Sequence, residues 1–268
     1  MLSSAFVDRL LATGSVRFIG IGGSHSVASA DAASDIDVYV VTDAPIDLAS
    51  RRAIAADLAD ADRPRDVPND FWGDGDYLSI GGVWHDVMYW DAGWLAATVT
   101  DRIERHLPAE GYSTAFLHTL AHLEPVHDPA GEIAAWQRRL ATYPDALAEA
   151  IIRRNLAAAA GVRTSYRAQI ARAVALDDPV SANHRVAALL ACVFDAAFAH
   201  LRMWHPGEKR QLRFLAAHAG MLPPGFADHV LAVLEAAAPG RLGLLVDAVD
   251  ALVADAQQLA RDDRTTTG

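Results

Sequence analysis

The chain has almost no cysteine and almost no lysine. Of its 268 residues one is a cysteine, Cys192, which excludes an internal disulfide framework and a zinc cluster built on cysteine alone. Of 23 basic residues Lys209 is the only lysine, and the other 22 are arginine. A basic segment followed by an apolar run is missing from the start: Met1–Leu11 reads MLSSAFVDRLL, so no secretory signal is expected. No uninterrupted apolar stretch nears the ~20 residues of a membrane span, and runs such as Val186–Phe194 are shorter. A soluble, cytoplasmic protein with no membrane partner is therefore expected. Positive charge is also short, with 34 acidic side chains against 23 basic ones for a net charge of −11. Proteins that grip nucleic acid nonspecifically rely on clustered cations, so this balance counts against a nucleic-acid partner and suits a cationic small molecule. What is abundant is apolar: 52% of residues are hydrophobic. That excludes a disordered or collagen-like chain and leaves room for one large or two small domains with cores of their own.

Strand and helix signals alternate up to Trp90 and give way to helices afterwards. Ala5–Ala12 is an amphipathic helix ended by Gly14. Val16–Ile21 (VRFIGI) and Ile36–Val41 (IDVYVV) are strands rich in β-branched residues. Leu48–Leu58 spaces its apolar residues as a helix, and Arg63–Gly75 is a loop with two prolines. Tyr77–Ile80 and Val83–Trp90 flank Gly81–Gly82, a hairpin signal. Helices are expected over Trp94–His106, Thr114–Leu123, Glu132–Leu140, Asp145–Leu176, Ser181–Trp204, Lys209–Ala219, Gly225–Ala237 and Leu242–Arg261, punctuated by prolines. The fold class expected is α+β, a sheet with flanking helices followed by an all-α bundle. The domain boundary is placed near Pro125–Gly131, giving domains 1–125 and 126–262 and a flexible tail 263–268.

Chemistry concentrates in Ile19–Val41. A buried strand delivers Gly22-Gly23-Ser24 to a turn, and ten residues later Ser34-Asp35-Ile36-Asp37 opens the next strand. Side chains i and i+2 of a strand share a face, so Asp35 and Asp37 point together while Ile36 and Val38 enter the core. Two neighbouring carboxylates repel unless a cation holds them, and oxygen-only ligands suit a hard divalent ion. The glycines let backbone N–H groups approach an anion, and the serine hydroxyl can donate to a phosphate oxygen. A third carboxylate is expected from a neighbouring strand. Asp86 fits as one acid inside the otherwise apolar Val83–Trp90; the plain alternative is an edge-strand aspartate facing water. Asp91 ends that strand and reads as a cap for the next helix.

This pattern of Gly-Gly-Ser, Asp-x-Asp and a later lone acid resembles the nucleotidyltransferase fold of the DNA polymerase β superfamily, over roughly Val16–Trp90. The helical half resembles, in architecture, the aminoglycoside and lincosamide nucleotidyltransferases and their bacterial relatives. The resemblance implies a mixed β-sheet with flanking helices and a helical domain after it. It implies that Gly22, Gly23, Ser24 and Ser34 hold the nucleotide. Asp35 and Asp37 would bind Mg²⁺ (or Mn²⁺), with Asp86 as further ligand or general base; His25 is not a motif residue. ATP is the expected NTP, the transferred group AMP, and the acceptor a small hydroxylated molecule of the aminoglycoside type, with pyrophosphate released. Two other readings stand beside it: a toxin-type nucleotidyltransferase acting on tRNA or protein, and a nucleotide-binding module without catalysis. A local arginine patch (Arg138, Arg139, Arg153, Arg154) is the feature that would serve RNA.

In the helical half, His184, Asp195 and Arg202 fall on one face of Ser181–Trp204, a stripe that faces either solvent or a cleft. Trp204-His-Pro-Gly-Glu-Lys-Arg210 follows, where Lys209 starts a helix against its dipole. Related transferases place a lysine of the helical domain against the triphosphate, so Lys209 is either that residue or a surface lysine. Asp70, Asp74 and Asp76 around Trp72 read as a hydrated turn or as a landing site for a cationic acceptor. His118, His122 and His127 lack an acid that would complete a zinc site. Cys192 reads as a small core residue.

Overall fold

A computed structural model describes residues 2–23, 35–70 and 73–266. The chain is α+β and divides into two compact units, Met1–Thr100 with Thr119–Thr142, and Asp101–His118 with Tyr143–Gly268. In the first unit the order is α1 (Ser4–Leu11), β1 (Val16–Gly22), β2 (Ile36–Thr42), α2 (Leu48–Leu58), β3 (Gly75–Ile80) and β4 (Val83–Asp91). Helices α3 (Ala92–Ile103) and α4 (Ala115–Ala121) follow, then β5 (Glu124–His127) and α5 (Glu132–Arg139).

The five strands form one mixed sheet in the order β3-β4-β2-β1-β5. The β2–β4 pair is parallel and the other pairs are antiparallel. Strand β5 was not foreseen: its sequence, Glu-Pro-Val-His, carries a proline that lowers strand propensity. An edge position tolerates that proline, and β5 occupies one, pairing only with β1. Because β5 belongs to this sheet, the expected boundary near Pro125–Gly131 falls inside the first unit, which runs on to Thr142.

Period-2 alternation sorts β2 into two faces. Ile36, Val38 and Val40 bury against Phe6 and Leu10 of α1 and Ile54 of α2, together with Ile19, Leu78 and Val87. The intervening Asp37, Tyr39 and Val41 occupy the opposite face. Asp47 caps α2, its side chain accepting from Ser50 N.

The second unit contains α6 (Asp145–Leu156), a π-helical turn at Ala157–Gly161, α7 (Tyr166–Ala175), α8 (Pro179–His200), α9 (Gln211–Ala216), α10 (Phe226–Ala236) and α11 (Leu245–Thr266). The single helix expected over Asp145–Leu176 is thus interrupted. Val162 is extended after Gly161, and Ser165 restarts the helix by accepting from Ala168 N. Helix α8 is the axis of this unit and packs against α6, α7 and α11. By length and composition it is apolar enough to cross a membrane, although Asn183, His184, Arg185 and Asp195 interrupt its apolar run, and most of that window is buried. Asp178 caps α8, with Pro179 in its first turn.

Candidate active site

Strand register lines up one transverse row of residues. Gly22 of β1 pairs with Asp37 of β2, Asp37 with Asp86 of β4, and Asp86 with Tyr77 of β3. Residues paired across neighbouring strands project to the same face of the sheet. Asp37 and Asp86 therefore stand side by side on the face opposite α1 and α2, and both are half-buried. Asp35 immediately precedes β2, and its Oδ2 accepts a 3.1 Å hydrogen bond from the Tyr77 hydroxyl. Of the three acids expected at the site, Asp37 and Asp86 are register partners and Asp35 precedes β2.

The glycines before the site serve packing as well as turn geometry. Gly23 has φ +70°, and a Cβ there would lie 1.6 Å from Asp37 Oδ2. A Cβ on Gly22 would lie 2.6 Å from the Tyr39 ring. Only glycine at Gly23 lets the backbone and the Asp37 carboxylate come this close. Ser24, Ser34 and His25 lie outside the described residues, as does Trp72.

Aromatic rings support the acids. The Tyr39 and Trp90 centroids are 4.7 Å apart. Tyr77 and Trp84 stack at 4.9 Å with 5° between their planes. The two phenols register the local charge. Burial foremost, then the hydrogen bond to Asp35 and the charges of Asp35 and Asp86, push the Tyr77 hydroxyl up to about 12. Tyr39 is raised further, by burial and by Asp37, with Asp86 adding to it. Asp35, Asp37 and Asp86 thus build a shared negative field at this end of the sheet.

The donor chemistry fits a hard divalent cation, since the residues brought together offer only carboxylate and hydroxyl oxygens. Among the described residues no group of three or more His, Cys, Asp or Glu side chains is already gathered tightly enough to hold a metal ion.

Other expected residues have different places. Lys209 is exposed in the second unit, on the turn before α9 rather than inside a helix. Asp91 caps α3 by accepting from Trp94 N at 2.7 Å. Asp76 is no part of a hydrated turn: it is buried in β3 and accepts from Arg51 Nη2 at 2.6 Å and from the Tyr89 hydroxyl at 2.9 Å. Asp74 also pairs with Arg51. His118 Nδ1 lies 3.1 Å from Trp204 O.

The expected stripe on α8 does not exist as one surface. His184 is exposed, while Arg202 lies beyond the helix end and pairs with Asp145 at 2.8 Å. Asp195 is buried and faces neither solvent nor a cleft. Its carboxylate accepts from Ser113 N (3.0 Å), Ser113 Oγ (2.6 Å) and Asn155 Nδ2 (2.9 Å). Burial outweighs these donors and pushes Asp195 up to about 6. Asn155 Oδ1 also accepts from Gly111 N at 2.9 Å, so the pair pins the 111–113 segment. Cys192 is buried, as expected. Beside this network lies a cavity of about 260 Å³ lined by Glu110, Arg154, Tyr166 and Gln169 and by the π-helical turn.

Tyr77, Tyr39 and Trp84 were not foreseen as site residues. A two-residue Gly81–Gly82 turn sets the hairpin register, and counting outward from it pairs Tyr77 with Asp86; that signal was available. The Tyr39–Trp90 contact required the β2–β4 pairing, which no local pattern encodes.

Comparison with known proteins gives three findings. Residues 113–210 match a family model described as a domain of unknown function, DUF4037. No curated protein matches the chain. Among solved structures, the chain is similar to a nucleotidyltransferase-like protein from Exiguobacterium sibiricum 255-15, at 9% identity over 96% of this chain and 74% of that one, with a TM-score of 0.48.

Proposed function

We propose that this chain is a metal-dependent nucleotidyltransferase that moves an NMP group, AMP from ATP, to a hydroxyl of a small acceptor and releases pyrophosphate. The observation that carries the reading is the register pairing of Asp37 with Asp86, with Asp35 at the head of the same strand and the Gly22–Gly23 turn beside them. Neighbouring carboxylates each disfavour the other's ionisation, and a bound cation offsets that repulsion.

Asp35, Asp37 and Asp86 would hold Mg²⁺. When bound, the ion neutralises charge on the triphosphate and on the departing pyrophosphate. Backbone N–H groups of the Gly22–Gly23 turn line the phosphates. The acceptor oxygen attacks the α-phosphorus, the bond to the β-phosphate oxygen breaks, and the acceptor's proton passes to a carboxylate, for which Asp86 is the candidate. Positioning and fixed charge do most of this work, since the protein forms no covalent bond. The net charge of −11 favours a cationic acceptor of the aminoglycoside type over a polynucleotide.

The test is an acceptor screen with labelled NTPs and Mg²⁺, read as pyrophosphate release and product mass, with tRNA included among the acceptors. Label on tRNA redirects the acceptor assignment. Wild-type turnover in Asp35→Asn or Asp37→Asn sinks the reading altogether.

A further inference from the structure

Asp35 differs from the other two acids in how it is held. Asp37 and Asp86 lie within paired strands, so backbone register places them. Asp35 precedes the first residue of β2 and has no ladder partner in that strand pair. Without ladder bonds to fix the backbone at this position, the Asp35 carboxylate depends on a side-chain partner to hold one place.

Tyr77 supplies that tie and is itself fixed on three sides. Its backbone pairs with Asp86 across β3–β4. On its other edge it bridges to Asp66, with N–O distances of 2.9 Å in both directions. Its ring stacks on Trp84 at 4.9 Å. The hydroxyl of this anchored ring donates to Asp35 Oδ2 at 3.1 Å. A phenol keeps its proton throughout the neutral range, so this hydroxyl is a donor there.

We propose that Tyr77 is a positioning residue for the cation site: its hydroxyl holds, through Oδ2, the Asp35 carboxylate that would help bind the divalent ion. This rests on the nucleotidyltransferase reading. A partner that orients a metal ligand commonly changes metal affinity by about 10–100-fold when removed. Tyr77→Phe keeps the ring and its stack and deletes only the donor. Trp84→Leu keeps the donor and deletes the stack.

The experiment measures Mn²⁺ binding to the full chain by electron paramagnetic resonance, with a non-hydrolysable ATP analogue present, and follows folding by circular dichroism. Tyr77→Phe is expected to bind Mn²⁺ about 10–100-fold more weakly with an unchanged dichroism spectrum, Asp35→Asn to lose comparable or greater affinity, and Trp84→Leu to lose less than Tyr77→Phe. Wild-type Mn²⁺ affinity in Tyr77→Phe overturns the proposal while leaving nucleotidyl transfer standing. A loss in Trp84→Leu equal to or greater than that in Tyr77→Phe assigns the effect to the stack and also overturns it. No Mn²⁺ binding by the wild type, or no effect of Asp35→Asn, overturns the proposal together with the reading beneath it.

Discussion

Asp37 and Asp86 are direct partners across the parallel β2–β4 ladder, and both leave the sheet on the face that α1 and α2 do not cover. Each carboxylate is thus placed by backbone pairing rather than by a flexible loop. Asp37→Asn or Asp86→Asn keeps the shape and removes one charge. Pyrophosphate release with ATP and Mg²⁺ should fall by at least about 10²-fold in each, the scale for losing one electrostatic stabiliser of a transition state. The dichroism spectrum should not change. Steady-state rates of the two variants decide the matter, and a loss below tenfold in both excludes them as reacting-site residues.

Gly23→Ala should damage the site through Asp37. At φ +70° a non-glycine residue costs about 1–2 kcal/mol, and the new Cβ would overlap Asp37 Oδ2 at 1.6 Å. The expected result is a lower melting temperature together with loss of activity. Gly81→Ala also has positive φ but meets nothing within 4 Å, so it should lose some stability and keep its activity.

Arg51 is buried beneath the sheet, bonding to Asp76, Asp74 and Gly75 O, with its guanidinium carbon 4.4 Å from the Tyr89 ring centroid. Arg51→Met leaves Asp76 buried without its cation, and burial already raises the Asp76 carboxyl. Removing one partner of a buried pair costs about 3–5 kcal/mol, which urea denaturation would read directly. Adding Asp76→Leu to Arg51→Met should recover part of that loss.

Asp195 makes stability fall with rising pH over a defined window. Its carboxyl rises from 3.8 to about 6 in the folded chain, so between those values the folded state holds a proton that the unfolded state has released. The stabilisation from this proton is complete below pH 3.8 and is lost as pH climbs through about 6. The difference in melting temperature between wild type and Asp195→Asn should therefore shrink or reverse across pH 4–6. A difference independent of pH contradicts the assignment.

His205 works in the opposite sense. It is fully buried between Tyr112 and Phe198, with ring centroids 5.0 and 4.8 Å away, and its Nδ1 accepts from Gly207 N at 3.1 Å. Its Nε2 has no hydrogen-bond partner among the described residues. Burial lowers it from 6.5 to about 4, so the unfolded state takes up a proton first and stability declines as pH falls through that range. His205→Phe should unfold less steeply between pH 6.5 and 4 than wild type, as a series of thermal melts would show.

Much of the candidate site was legible because strand side chains repeat every two residues. Asp35-Ile36-Asp37 placed the acids and the core on opposite faces, and the apolar run around Asp86 marked it as exceptional. The fate of Asp195 was not legible. Its donors come from Ser113 and Asn155, far away in the chain, and helical periodicity says which residues share a face without saying what covers it. The aspartates at 74 and 76 misled for the same reason: Arg51, which binds them, lies on a different element.

The sequence by itself determined the local features: the strands around Asp37 and Asp86, the Gly81–Gly82 hairpin and its register, and the change from mixed to helical structure. These follow from side-chain period and backbone sterics within a few residues. Only the tertiary structure decided that β2 and β4 pair in parallel, that β5 returns to the sheet edge, that Tyr77 reaches Asp35, and that Asp195 is buried among donors. Each of those depends on which distant segments meet, and burial energy rather than local propensity chooses them.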